Sequence, residues 1–316
     1  MAPNRKPGIL KPRTLRPGDT VGVVAPASSF VQGDFEAGCD VLRGMGYEVV
    51  FDESIFDRDL YFAGSAPRRA RELESMFTRD DVDAIICARG GYGSNYLLPL
   101  LDLKKIAASP KPFVGYSDVT SLMTYLYDSI GLVTFHGPMV AKDFAKPDGV
   151  EPGSWAAALT GSNTNFNFAA DSRMQSLVSG SAEGVLYGGC LSMLAASLGT
   201  PYEIHAEGTI LFIEDIATKP YHIDRMLMQL KLAGKLAGVR GIVFGEMLDC
   251  VQPGDQRYTL QDVIMRIVED LRIPVAYGLR SGHVSRSNIT LPIGVRARLE
   301  VNSSSVSLTV PESPTI

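Results

Sequence analysis

Gly115-Tyr116-Ser117-Asp118 joins a nucleophile to a tight backbone. It follows the apolar run Pro112-Phe113-Val114 and precedes Val119, Leu122, Met123 and Leu126, which share the spacing of one helix face. The spacing predicts a serine on the turn from a strand into a helix, with its hydroxyl lifted out of the fold. The first helical turn offers free backbone N–H groups and positive dipole character to a developing oxyanion. Strand, Gly-x-Ser and helix are the parts of a nucleophile elbow, here with Val119 in place of the second glycine. The competing use of such a serine is to cap the helix.

Other segments hold candidate partners. Arg89-Gly90-Gly91-Tyr92-Gly93 follows the apolar run Ile85-Ile86-Cys87, and its glycines permit close backbone approach to a ligand. It is neither a dinucleotide fingerprint nor a P-loop. Its N–H groups could donate to an oxyanion, or it could be a plain turn. Glu214-Asp215 ends Leu211-Phe212-Ile213, where a carboxylate can orient a histidine, cap a helix or face solvent. Of the four histidines, His283 in Ser281-Gly282-His283-Val284 sits on a loop after Val275-Ala276-Tyr277, and His136 in Phe135-His136-Gly137-Pro138 is its rival as a base. His205 reads as exposed and His222 as the start of a helix. No two histidines have metal-ligand spacing, so no zinc site is expected. Cys190, after Gly188-Gly189, is a rival nucleophile whose simpler use is close packing.

The elements that must position these residues alternate. Strands are expected at 20–25, 47–51, 84–88, 112–116 and 132–135, and helices near 34–44, 66–76, 94–101 and 118–127. Such alternation predicts an α/β fold whose N-terminal domain is a three-layer unit around a parallel sheet. Ligands then bind at the carboxyl ends of the strands. Ala25-Pro26-Ala27-Ser28-Ser29, the glycine turn and the Ser117 turn all fall on that edge. Residues 142–182 are rich in Gly, Ser, Asn, Asp and Pro and read as a linker, with one short helix at Trp155. The expected division is 1–141, the linker 142–182, and 183–316. The last part reads as a mixed α/β domain with antiparallel strands. It has helices near 191–198, after Pro220 and over 260–271, and a terminal hairpin joined through Asn302-Ser303-Ser304-Ser305.

Composition narrows the classes. A chain of 316 residues, 45% hydrophobic, is long enough for a large core and two domains. A net charge of −5 argues against nucleic acid as the main partner. The basic N-terminal segment (Arg5, Lys6, Lys11, Arg13, Arg16) is broken by prolines and lacks a signal peptide's apolar stretch, and no apolar run is long enough to span a membrane. The scattered cysteines Cys39, Cys87, Cys190 and Cys250 read as free thiols of a reducing compartment.

Taken in order, several segments resemble the LD-carboxypeptidases of serine peptidase family S66. The resemblance runs through Val21-Gly22-Val23-Val24-Ala25-Pro26, Arg89 to Gly93, Gly115 to Asp118, His136-Gly137-Pro138, Gly188-Gly189-Cys190-Leu191, Glu214-Asp215, Tyr221-His222-Ile223-Asp224-Arg225 and Gly282-His283. It spans nearly the whole chain. It implies a Ser-Glu-His triad split between two domains: Ser117 the nucleophile, His283 its base and Glu214 the group that orients the base. The backbone N–H of Asp118 with that of Gly91, or its neighbour Gly90, would form the oxyanion hole. Cys190 departs from the asparagine common after the paired glycines. The implied substrate is a murein tetrapeptide that loses its terminal D-alanine in the cytoplasm during cell-wall recycling, through an acyl-enzyme and without metal or cofactor. Arg89, Lys219, Arg225 and Arg286 are candidates to read the terminal carboxylate. The family often forms dimers, so a homodimer is an expectation. Two other readings follow: a microcin-immunity-like hydrolase of acyl-sulfamoyl nucleotide conjugates, and a non-catalytic murein-peptide-binding protein.

Overall fold

The structure, a computed structural model, describes residues 7–161, 165–170, 174–251 and 257–316. Arg5 and Lys6 of the expected basic segment, and 162–164 and 171–173 of the expected linker, lie outside the described residues. In chain order the strands are β1 (Thr20–Val24), β2 (Glu48–Val50), β3 (Ala84–Cys87), β4 (Phe113–Gly115), β5 (Thr134–His136), β6 (Gln175–Val178), β7 (Gly180–Cys190), β8 (Thr209–Glu214), β9 (Gly241–Gly245), β10 (Val275–Leu279), β11 (Leu291–Ile293), β12 (Arg296–Val301) and β13 (Val306–Thr309). The helices are α1 (Gln32–Gly44), α2 (Ala66–Thr78), α3 (Leu103–Ala108), α4 (Thr120–Ile130), α5 (Pro152–Leu159), α6 (Leu191–Ala196), α7 (Pro220–Leu232) and α8 (Leu260–Val268).

The first sheet has the order β11-β5-β4-β3-β1-β2. All its neighbours pair in parallel except β11, which lies antiparallel to β5. Val21, Val23, Val24, Ile85, Ile86, Phe113 and Val114 are wholly buried, as continuous apolar strands of a covered parallel sheet must be. Strand order reverses at β1, between β2 and β3, so a crevice is expected beyond the carboxyl ends of β1 and β3. The Ser117 turn and the helix after it bury Val119, Leu122, Met123 and Leu126 completely. The helix stops at Gly131, whose φ of 73° closes the last turn.

The second sheet has the order β13-β12-β7-β8-β9-β10-β6. Its centre, β7 to β10, is parallel, and β12, β13 and β6 add antiparallel edges. The expected α/β class, with a parallel N-terminal sheet and antiparallel strands in the second half, is what the chain forms. The two sheets meet where Cys190 N–H donates to Thr120 Oγ1 at 3.1 Å. A Cβ on Gly189 would lie 2.6 Å from that same Oγ1, so only glycine lets β7 approach the start of α4.

The structure departs from the sequence reading in several elements: α3 is an added helix, and the helix expected over 260–271 ends at Val268, with Glu269–Leu271 a 3₁₀ turn. Residues 94–101 form two 3₁₀ turns, Ser94–Tyr96 and Leu98–Leu100, rather than a helix. Pro99 has no N–H to carry an α-helical ladder, and the next helix, α3, starts instead from the Asp102 cap. Strands β6 and β11 were not foreseen, being short and paired with distant segments. β11 matters most. After β10 the chain leaves the second sheet, turns through 280–290 and joins the first, pairing Leu291 with His136. His283 lies on that crossing.

Candidate active site

Ser117 stands at the end of β4 with φ 64°, in the left-handed region. That conformation costs a non-glycine residue about 1–3 kcal/mol and persists only where its surroundings impose it. Here both neighbours are fixed. The Tyr116 ring is wholly buried and its hydroxyl donates to Asp143 Oδ1 at 3.3 Å. Asp118 Oδ2 accepts the Ser94 N–H at 2.7 Å while Ser94 Oγ donates to the Asp118 carbonyl at 2.6 Å. Neither helical start is capped by a Ser117 side-chain bond, so the capping role is not the one it plays. The turn's first backbone bond runs from Val119 N–H to the Tyr116 carbonyl, which leaves Asp118 N–H ahead of the ladder.

The glycine loop lies against this serine. A Cβ on Gly90 would sit 2.9 Å from Ser117 Cβ and 3.2 Å from its Oγ. Gly91 takes φ 103°, and a Cβ there would strike Ser28 Oγ at 2.4 Å. Ser28 Oγ in turn accepts the Tyr92 N–H at 3.0 Å, and Ser28 N–H donates to the Gly90 carbonyl at 3.2 Å. The loops after β1 and β3 are thereby laced together at the strand-order reversal. Arg69, 1% exposed, supports them from below: its guanidinium donates to the carbonyls of Pro26, Gly64 and Gly93. Sequence reasoning missed Arg69. Its signal was a cation on the same face of α2 as the buried Leu73, Met76 and Phe77.

Glu214, at the carboxyl end of β8, is wholly buried. Its Oε2 lies 2.7 Å from His283 Nδ1 and also accepts the His283 N–H at 3.0 Å. Burial pushes the carboxyl pKa up, but the His283 charge and hydrogen bond, with His136 close by, override it and bring the pKa down to about 2. Gly282 is required for this approach. It takes φ 93°, and a Cβ there would lie 2.7 Å from Glu214 Cδ and 2.8 Å from His136 Cε1. The Tyr116 ring connects the two halves of the site, preceding Ser117 in the chain and meeting the His283 ring edge-on at 5.1 Å between centroids.

The rivals differ in geometry. His136 also faces Glu214, with Nε2 3.8 Å from Oε1, but it is wholly buried and its Nδ1 lies 2.9 Å from Ser281 Oγ. His283 retains 7% exposure and so can meet a ligand. Asp215 turns away: Oδ2 accepts from Ser192 N–H and Oγ at the start of α6, and Oδ1 from Ile216 N–H and Thr218 Oγ1. Cys190 sits beside Glu214 in the register of β7 and β8. Burial, then the charges of Glu214 and Asp215, raise its thiol well above the ordinary value, which keeps it protonated. Among the described residues no group of three or more His, Cys, Asp or Glu side chains is arranged to hold a metal ion.

A groove of about 790 Å³ opens beside the His283 loop, lined by Glu246, Met247, Tyr258, Tyr277 and Arg286 among others. Glu246 fastens that loop, accepting Ser285 N–H at 2.7 Å and Oγ at 3.1 Å. Ala217, Met247 and Asp249 take positive φ in the loops after β8 and β9, which Ala217 N–H joins through the Leu248 carbonyl at 2.8 Å. Of the expected carboxylate readers, Arg89 is exposed near the glycine loop and donates to the Ser29 carbonyl at 3.2 Å. Arg286 is exposed at the groove, Lys219 is exposed before α7, and Arg225 lies on α7 over the Tyr221 ring at 5.7 Å.

Residues 21–137 match the LD-carboxypeptidase N-terminal domain, and residues 183–299 match the LD-carboxypeptidase C-terminal domain. The chain is 39% identical over 292 residues to the probable murein peptide carboxypeptidase of Bacillus subtilis (strain 168), covering 92% of this chain and 91% of the relative. It is 30% identical over 329 residues to the microcin C7 self-immunity protein MccF of Escherichia coli, covering 93% and 94%. The crystal structure of muramoyltetrapeptide carboxypeptidase from Oxalobacter formigenes superposes with a TM-score of 0.81 at 32% identity, covering 94% of this chain and all of that one (100%).

Proposed function

The chain belongs to the LD-carboxypeptidase family, and from that premise we propose that it removes the terminal D-alanine from murein tetrapeptides with a Ser117-His283-Glu214 triad. The protein is a serine-type carboxypeptidase. The observation that carries the assignment of roles is the φ of 64° at Ser117, a strained serine at the carboxyl edge of a parallel sheet. With Nδ1 held by Glu214, His283 keeps Nε2 free to take the Ser117 proton. Ser117 Oγ then attacks the carbonyl carbon between the L-centre and D-alanine. The resulting oxyanion draws on the N–H groups of Asp118 and Gly91. His283 returns the proton to the leaving amine, D-alanine departs, and water hydrolyses the acyl-enzyme.

In this reading the nucleophile comes from the segment before residue 142 and the acid–base pair from the segment after residue 182. The reaction belongs to the cytoplasm and to cell-wall recycling. The four free, buried cysteines agree with a reducing compartment, and no helix among the described residues is long and apolar enough to cross a membrane.

Likeness to MccF supports a second reading, hydrolysis of an acyl-sulfamoyl nucleotide. Such a substrate favours an aromatic stacking partner. Trp155, the one tryptophan in the sequence, is instead 3% exposed, packed edge-on against Phe144 and hydrogen-bonded to Tyr47. Turnover of a murein tetrapeptide measured beside that of an aminoacyl-sulfamoyl adenosine separates the two. Faster cleavage of the peptide is expected. Cleavage of the nucleotide conjugate alone contradicts the proposal.

A further inference from the structure

Two cations, Arg89 and Lys142, stand on the nucleophile side of the site, and neither has an ion pair among the described residues. Lys142 lies in the turn Val140–Phe144, where Ala141 leaves helical geometry (φ −81°, ψ 22°). That turn is pinned to the glycine loop by Ala141 N–H, which donates to the Ala88 carbonyl at 2.9 Å. Arg89 and Lys142 therefore each follow directly on the two ends of one hydrogen bond. One residue beyond Arg89 is Gly90, the glycine that abuts Ser117.

Lys142 is half-buried, and its ammonium makes no ion pair or hydrogen bond among the described residues. The adjacent carboxylate, Asp143, is turned inward onto the Tyr116 hydroxyl at 3.3 Å and the Met139 N–H at 3.0 Å. Burial lowers the Lys142 pKa, Asp143 opposes that, Lys146 and Arg89 lower it further, and Glu214 raises it. The Lys142 charge is thus felt by both the Arg89 cation and the carboxylate of the His283 pair. A partly desolvated ammonium without a partner is unfavourable, and an anion entering the site relieves it.

A tetrapeptide supplies such an anion two bonds from the scissile nitrogen, on its terminal residue. We propose that Lys142, assisted by Arg89, binds the free carboxylate of that terminal residue and so restricts the site to the last peptide bond of a chain. The inference rests on the carboxypeptidase reading above. Lysine suits the task as a compact charge with three donors that accepts a carboxylate from several directions.

The test compares kcat/KM for a tetrapeptide ending in D-alanine with that for the same peptide ending in D-alaninamide. Wild type is expected to prefer the acid by about 100-fold, the scale of a charge-assisted hydrogen bond. Lys142→Met is expected to shrink that preference to below about tenfold, mainly through a higher KM for the acid, with the amide unchanged. Lys142→Arg should restore part of it, and Lys142→Gln serves if the methionine variant fails to fold. A folded Lys142→Met or Lys142→Gln enzyme that keeps the preference, or loses both substrates equally, overturns the inference and leaves the carboxypeptidase reading standing. A wild type that cleaves both ends equally does the same. A wild type that releases no D-alanine overturns the reading and the inference together.

Discussion

Gly282→Ala is the most informative single substitution in the site, because it adds one carbon beside the carboxylate without removing a catalytic group. The new Cβ would lie 2.7 Å from Glu214 Cδ and 2.8 Å from Oε2, with His136 Cε1 also at 2.8 Å behind it. Ordinary contact begins at 3.4 Å. The carboxylate must therefore retreat by roughly 0.7 Å, a misplacement of the size that can cost about 100-fold in rate. It has little room to do so, since Glu214 is wholly buried. Movement lengthens the 2.7 Å contact with His283 Nδ1 and frees the imidazole to turn. The alanine must also hold φ 93°, which adds about 1–3 kcal/mol of backbone strain. The expected result is a folded protein with a lowered Tm and kcat reduced by about 100-fold or more, with KM little changed. Steady-state D-alanine release and thermal melts measure both. A folded Gly282→Ala enzyme with near-wild-type kcat would refute the claim that the Glu214–His283 geometry governs the reaction.

Further outcomes follow from the same geometry. Cys190→Ser should keep most activity, because the thiol is buried and protonated; loss of turnover with the fold intact would reinstate it as a participant, as D-alanine release assays show. Asp215→Asn should lower stability by about 1–2 kcal/mol through the α6 cap and leave kcat within a few-fold, whereas Glu214→Gln should cost at least 100-fold; denaturant melts and kinetics on both variants test the contrast. Glu214 has its folded pKa lowered from 4.5 to about 2, so its stabilising contribution is complete above pH 4.5 and is lost as pH falls towards 2. Acid titration of stability should therefore be steeper across that window for wild type than for Glu214→Gln, and equal slopes would contradict the assignment.

How much of this was legible in the sequence depends on whether the cause was local. The Ser117 turn was legible because an apolar strand, Gly115 and a helical stripe are all encoded within about a dozen residues, and the stripe is fully buried. The strand ending at Glu214 was legible for the same reason. The choice between Glu214 and Asp215 was not, because the two are neighbours and only the packing of α6 and the His283 loop separates their directions. Nor was the choice between His136 and His283, which face one carboxylate from β5 and from the crossing after β10. Family resemblance favoured Glu214 and His283 where residue types left the question open. The crossing that delivers His283 depends on β11, three residues long and paired with β5 more than 150 residues earlier in the chain. No local pattern announces such a strand. Arg69 and Lys142 escaped notice because a cation's importance lies in what surrounds it. Arg69 is buried under two loops, and Lys142 stands beside a site built from distant segments.

The central claim is that Ser117 carries the reaction. It is tested most directly by mass spectrometry of L-Ala-γ-D-Glu-meso-diaminopimelate-D-Ala incubated with wild type and with Ser117→Ala. The account predicts loss of one D-alanine with wild type and none with a folded Ser117→Ala protein. Equal cleavage by both proteins, or cleavage by neither, would contradict it.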